Sequence, residues 1–261
     1  MTVRVALVTG ASSGIGYATA LAFARAGYHV IATARRVERL AQLEAAVQAL
    51  PAPHGDMLTL ACDVQNADDV QNAVTQALAR FGGLHVLVAN AGVGQRGALV
   101  DAAWGDIETL LRTNIDGVLH SVRAAAPAMR AGGGGHIIII SSVVYNMVTP
   151  YTAAYAASKA FVSSIAAALR LELAADHIAV SDVLVGRTTS EFNQRRLGHS
   201  GYSERAARLP RMSAEYVAER LVRASSGRGG RFALRFFDRL IVLGNLLLPG
   251  LIGRLAMRQY K

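Results

Sequence analysis

Cysteine is almost absent from this chain. Cys62 stands alone among 261 residues, which excludes an internal disulfide and any multi-cysteine metal site. The seven histidines have no metal-ligand spacing, so no metal is expected, and Cys62 reads as a small buried hydrophobe. Apolar runs of membrane-spanning length are absent too. Leu240 to Gly253 is 14 residues, interrupted by Asn245 and Pro249, against the roughly 20 that a spanning helix needs. Only Met1-Thr2 precede the first apolar run, too little for a signal peptide, so the expectation is a cytoplasmic protein.

The composition that remains, 52% hydrophobic, is ample for the core of one α/β domain. Charge is spread unevenly. Residues 1–186 carry 12 Lys+Arg and 13 Asp+Glu, whereas residues 187–261 carry 15 and 5. The body is thus nearly neutral at −1 and the last part of the chain carries +10. A basic tail on a neutral body suggests an anionic partner: a membrane surface, a phosphorylated substrate or nucleic acid. Aromatic residues are sparse there and no zinc motif or reading helix is present, so nucleic acid is not expected.

Taken in order, short apolar runs alternate with helix-like segments. Val3 to Val8 is strand-like and leads into Gly10-Ala11-Ser12-Ser13-Gly14-Ile15-Gly16, then a helix to Ala26. Strand, glycine turn, helix is the layout of a dinucleotide-binding unit, in which the backbone approaches the pyrophosphate at the helix N-terminus. A plain tight turn is the other reading. The second strand, Tyr28 to Thr33, is followed by Ala34-Arg35-Arg36. No carboxylate stands there to hold ribose hydroxyls, and guanidinium groups suit a 2′-phosphate, so NADP(H) is expected over NAD(H). The third strand, Leu58 to Cys62, ends at Asp63-Val64, where an acceptor can meet an adenine amino group or cap the next helix. The fourth, Val86 to Ala89, closes on Asn90-Ala91-Gly92, small enough for a cofactor to lie close. Asp106 to Arg130 reads as one long helix with Asn114 inside it, a poor mid-helix residue unless its side chain has a task. Ile178 to Val185 is a sixth strand.

The chemistry is concentrated in residues 142–159. The β-branched run Ile137 to Ile140 reads as a buried parallel strand, and Ser142 ends it. Tyr155 and Lys159 are four residues apart, which puts both on one helix face. A serine at a strand's C-terminal end and this pair on the next helix can converge where open α/β sheets bind ligands. A tyrosine is a poor acid or base near neutral pH. An ammonium beside it would lower its pKa of about 10 toward the working range.

Together TGASSGIG at 9–16, DV at 63–64, NAG at 90–92, Asn114, Ser142 and YAASK at 155–159 resemble the short-chain dehydrogenase/reductase family over about residues 3–192. The resemblance implies a single doubly wound parallel sheet of the Rossmann type with NAD(P) across its strand ends. It implies a catalytic set of Asn114, Ser142, Tyr155 and Lys159, in which the lysine also binds the nicotinamide ribose and the asparagine holds a relay water. It also implies a homodimer or homotetramer. The chain departs from the family in having Val185-Gly186 where Pro-Gly is usual. Ser190, beside Thr188 and Thr189, stands where a threonine often touches the carboxamide, so Gly186, Thr188 and Ser190 are the expected contacts there. Bulky Val143, Val144 and Tyr145 follow the serine.

The expected organisation is a domain over 1–230, with a substrate cap at 187–212, and an apolar, basic extension over 231–261. The expected function is an NADP(H)-dependent oxidoreductase acting on a bulky hydrophobic carbonyl or secondary alcohol, with Ser142, Val144, Tyr155 and Phe192 meeting the substrate. The alternative is a cofactor-binding regulator without turnover. For the extension, packing over the cleft or against another subunit competes with peripheral membrane contact, in which Arg235, Arg239, Arg254 and Arg258 would meet lipid phosphates.

Overall fold

A computed structural model describes residues 3–199 and 211–257. Seven parallel strands form one sheet: β1 Val5–Thr9, β2 His29–Ala34, β3 Met57–Ala61, β4 Val86–Ala89, β5 Gly135–Ser142, β6 Ile178–Val185 and β7 Gly230–Ala233. Their spatial order is β3-β2-β1-β4-β5-β6-β7. The helices are α1 Gly14–Arg25, α2 Val37–Gln48, α3 Ala67–Phe81, α4 Trp104–Leu111, α5 Gly117–Ala131, α6 Ala153–Glu172, α7 Ala214–Ala224, α8 Phe236–Leu247 and α9 Pro249–Met257.

The strands are apolar without alternation because both sheet faces are covered. Successive residues of β5 show it. Ile137 and Ile139 enter one core with Val74 of α3, Met129 of α5 and Val162 of α6. Ile138 and Ile140 enter the other with Phe23 of α1, Leu43 of α2 and Leu221 of α7. Cys62 is buried, and burial pushes its thiol up to about 11, in keeping with a hydrophobic role. The chain winds outward from β1 to β3, then crosses back to β4 and winds the other way. The crevice outside the carboxyl ends of β1 and β4 is therefore the switch point where such sheets bind ligands.

Two elements differ from the sequence reading. The long helix over 106–130 is not continuous: a π turn at Arg112–Asp116 separates α4 from α5. One extra residue in a turn leaves the apolar spacing almost unchanged, so the pattern cannot reveal it, although π turns favour functional positions. The boundary at residue 231 falls inside β7, which pairs with β6 from Ser181↔Gly230 to Leu184↔Ala233. Gly-Arg-Phe-Ala is too short to read as a strand, so its pairing is a tertiary effect. Ser213 caps α7, where the Tyr216 amide donates to Ser213 Oγ at 3.1 Å. Of the expected substrate cap, residues 187–199 and 211–212 are described. The Thr189 amide donates to the Met212 carbonyl (2.8 Å) and the Leu197 amide to that of Gly94 (2.8 Å).

Candidate active site

The glycine turn is built against β4. Gly10 has φ +70°, and a side chain there would meet Ala91 Cα at 2.8 Å, so glycine serves both the turn and the approach. A side chain at Gly16 would meet the Gly10 carbonyl oxygen at 2.2 Å. Asn90 Nδ2 donates to the Thr9 carbonyl at 2.9 Å, and Thr9 Oγ1 accepts from the amides of Asn90 and Ala91 at 3.0 and 3.1 Å. The Asn90 side chain thus ties the turn to β4, leaving Ala91 and Gly92 as the small residues facing the crevice. Ser13, the residue before α1, is extended and makes no side-chain cap. The first turn at Gly14, Ile15 and Gly16 therefore keeps amides that suit an anion.

Beside it lies a group of guanidiniums. Arg36 donates to Ser12 Oγ and Ser13 Oγ, both at 2.8 Å from Nη2. Glu191 receives three arginines, at 3.3 Å from Arg36, 3.6 Å from Arg39 and 3.3 Å from Arg195. Arg35 is largely exposed and lies 3.7 Å from Asp63. Asp63 also accepts from the Gln65 amide at 3.1 Å, while Asn66 caps α3. Val64 follows it, buried, with its carbonyl 2.9 Å from His120 Nδ1. A dinucleotide fits this donor set: a glycine cradle, open helix amides, and guanidiniums beyond the second strand. Glu191 and Arg39 were not foreseen. The one available signal was an acidic residue inside a strongly basic segment.

The expected site residues converge at the ends of β4 and β5. Ser142 sits at the carboxyl end of β5, close enough to Tyr155 for its hydroxyl to favour the phenolate. Burial pushes the Tyr155 phenol up, and Ser142 and Arg196 oppose that. Lys159, one of two lysines in the chain, is 5% exposed, and burial lowers its pKa from 10.5 to about 8 against the pull of Asp182. Its Nζ donates to the Ile140 carbonyl at 2.9 Å and lies 5.9 Å from the centre of the Tyr155 ring. Burial thus holds the phenol above its ordinary value instead of the expected lowering by an adjacent ammonium, and the lysine is turned toward the backbone.

Asn114 lies in the π turn, wholly buried. Its Oδ1 accepts from the Val93 amide (2.8 Å), and Nδ2 donates to the Val93 carbonyl (3.0 Å) and Ser158 Oγ (3.0 Å). Its side chain thus holds the main chain of Val93. A buried polar chain supports α6 from below. Ser141 Oγ donates to the Lys159 carbonyl (3.2 Å) and meets Ser163 Oγ (2.7 Å), which donates to Asp182 (3.1 Å). Asp182 is paired with Arg231 of β7 at 2.6 Å.

The cap lies on this site. Phe192 packs on Tyr155 with ring centres 5.8 Å apart, and Leu197 joins Val93, Leu111 and Tyr155 around Ile107 and Leu110. A side chain at Gly14 would meet Ser190 Cβ at 3.0 Å, so residue 190 rests against the glycine turn. Thr188 is turned inward, donating to the Gly186 carbonyl at 3.2 Å. Val144 packs against Val143, Leu184 and Ala233, together with Val242 of α8.

A doubly wound sheet with a glycine cradle at its switch point, and a Ser/Tyr/Lys group beside it, defines a dinucleotide-binding oxidoreductase. The short chain dehydrogenase profile matches residues 4–199, and the chain belongs to that family. It is 38% identical over 189 residues to the glycine betaine reductase ATRR of Emericella nidulans, covering 72% of this chain but only 15% of that protein. A short chain dehydrogenase/reductase from Burkholderia phymatum in complex with NAD superposes with a TM-score of 0.86 at 25% identity, covering 95% of each chain. An alcohol dehydrogenase from the archaeon Thermococcus sibiricus complexed with 5-hydroxy-NADP gives 0.78 at 25% identity, covering 89% of this chain and 96% of that one.

Proposed function

We propose that this chain is an NADP(H)-dependent oxidoreductase acting on the carbonyl or secondary alcohol of a bulky hydrophobic compound, with Tyr155 as general acid and base. The observation that carries the reading is Tyr155 and Lys159 on one helix, with Lys159 Nζ 5.9 Å from the centre of the Tyr155 ring, beside Ser142 at the end of β5. The nicotinamide supplies or accepts the hydride. In the reducing direction Ser142 holds the substrate oxygen by a hydrogen bond and Tyr155 delivers a proton to it. The phenolate left behind is favoured by the Lys159 ammonium. Lys159 spends one of its three N–H donors on Ile140, so two remain for ribose hydroxyls or the phenol. Both Nδ2 hydrogens of Asn114 are committed, so a relay water would bind its Oδ1 or its main chain.

The cofactor preference rests on Arg35, Arg36 and the missing carboxylate at Ala34. Arg36 already gathers Ser12 and Ser13 and holds a carboxylate, that of Glu191, which is the behaviour expected of a phosphate-binding guanidinium. Phe192, Leu197 and Leu111 around Tyr155 favour an apolar substrate.

The test is Tyr155→Phe, with NADPH binding followed by fluorescence titration and turnover assayed on a panel of bulky ketones and alcohols. Binding within a few-fold of the parent and turnover lower by about 10²–10⁴ are expected. Unchanged turnover would remove the phenol from the mechanism, and a parent without turnover on any of the panel would favour a cofactor-binding regulator.

A further inference from the structure

Helix α8 is built inside out. Its inward side carries polar residues. Asp238 is 1% exposed and takes a bidentate contact from Arg235 at 3.0 and 2.9 Å. Asn245 is 3% exposed; its Nδ2 donates to the Asn146 carbonyl and its Oδ1 accepts from the Val148 amide at 3.4 Å. The Asn245 contacts clamp α8 onto the turn that follows Ser142, and α9 continues the seat, since a side chain at Gly253 would meet Val148 at 2.8 Å. The outward side carries Phe236, Leu240, Leu243 and Leu247, at helical spacing and 43–74% exposed together with Phe237, Leu246, Leu248, Leu251 and Leu255. Soluble helices have the opposite arrangement, and a contiguous apolar patch of this kind marks an interaction surface.

The patch adjoins a second feature. An open pocket of about 470 Å³ is lined by Arg220, Arg223, Arg228 and Arg239, with Phe236 at its edge and no carboxylate in its lining. Arg239 and Phe236 belong to α8, so pocket and leucine face meet at its first turn. Among the described residues, the one ion pair these four arginines make is Arg223 with Glu219 at 4.0 Å, mostly exposed.

We propose that this face docks on an anionic phospholipid surface, with the leucines of α8 and α9 in the interface and headgroup phosphates in the arginine pocket. Charge decides the occupant. A second copy packed two-fold on this face would bring the same arginines together, at a cost in like-charge repulsion, whereas anionic headgroups neutralise them. Geometry decides the orientation. Among the described residues no single helix is long and apolar enough to cross a bilayer, and α8 and α9 meet at 112°. The 12 residues of α8 span about 18 Å, less than the hydrocarbon core of about 30 Å. With its polar side held on the protein, α8 lies flat. Arg235, expected to face lipid, is instead committed to Asp238; Arg258 lies outside the described residues.

The test is co-sedimentation of the full chain with vesicles of phosphatidylcholine, alone or mixed with phosphatidylglycerol. Binding to the anionic vesicles at least about ten-fold tighter than to the neutral ones, and weakening as salt shortens the Debye length from about 10 Å at 0.1 M to 3 Å at 1 M, is expected. Arg228→Glu with Arg239→Glu should abolish the anionic preference, and Leu243→Ser with Leu247→Ser should weaken binding about ten-fold through lost apolar insertion. These sites are on the surface, and circular dichroism checks that the variants fold. The proposal is overturned if the parent fails to bind anionic vesicles at low salt, or if the leucine variant binds as well as the parent. It is equally overturned if light scattering finds a dimer that the leucine variant splits while vesicle binding is absent, which would make the face a subunit contact.

Discussion

Helices α6 and α8 both bury polar side chains, for opposite reasons. In α6, Ser158, Lys159 and Ser163 are buried among Ala154, Val162 and Ala166, and each has a named partner in or under the site. In α8, Asp238 and Asn245 are the buried residues, and the large apolar ones other than Ile241 and Val242 point outward. By composition α8 is the more apolar helix and would be assigned to a core. Burial of polar groups thus has two uses. In α6 it lowers the pKa of Lys159 beside Tyr155, and in α8 it fixes which face of a helix stays outside.

The largest effect expected from this contrast is on stability, in the body. Leu87 of β4 is wholly buried. Leu87→Ala leaves a cavity and should cost about 2–5 kcal/mol, lowering the melting temperature by roughly 5–15 °C for a chain of this size. A loss under about 1 kcal/mol would mean that the sheet core is looser than its burial indicates.

Next in size is the pH response of the buried lysine. Burial lowers Lys159 to about 8, so it loses its charge as pH rises through that value. Carbonyl reduction, which uses the ammonium to favour the phenolate, should fall with pH above about 8 by up to ten-fold per unit. Stability should move the other way. The folded lysine releases its proton near 8 while the unfolded one keeps it up to 10.5, so the unfolded chain binds more protons in that window and stability rises with pH there. A kcat/KM profile flat from about pH 7 to about pH 9, one unit either side of the midpoint, would detach Lys159 from the proton transfer. Lys159→Met should abolish the stability slope.

A smaller effect is expected at the cofactor end. Glu191 is held by Arg36, Arg39 and Arg195, and a 2′-phosphate would compete with it for the same guanidiniums. Glu191→Gln should tighten NADPH binding by roughly three- to ten-fold at low salt, the scale of partly exposed ion pairs, and leave NADH binding nearly unchanged. Equal gains for both cofactors would point to a looser cap rather than to freed arginines.

Much of this was legible in the chain. The glycine turn and the strand–helix alternation follow from apolar runs that are short, β-branched and bounded by glycine. Ser142, Tyr155 and Lys159 could be brought together because two share a helix face and the third ends the preceding strand. What was hidden depends on distant pairs or on orientation. Glu191 meets Arg36 across 155 positions, beyond any local pattern. The π turn at Asn114 shifts the helix without erasing its periodicity. In the extension, spacing groups Phe236, Leu240, Leu243 and Leu247 on one face, but periodicity says only which residues lie together, not which side faces inward. Asp238 and Asn245 decide that, and on a helical wheel they look like the solvent side.

The smallest expected effect is therefore the most telling one about α8. Leu243 is half exposed, so Leu243→Ala removes apolar atoms that already touch water in the free protein. Little transfer free energy is lost and no enclosed cavity forms, so the change should stay within about 0.5 kcal/mol of neutral, as surface substitutions do. The same deletion at Leu87 costs several times more. Thermal denaturation of the two variants side by side, in buffer without lipid, measures the contrast. If Leu243→Ala destabilised the free protein as much as Leu87→Ala, the leucine face would be buried in solution by some other part of the assembly. The inside-out reading of α8 would then fail at its first step.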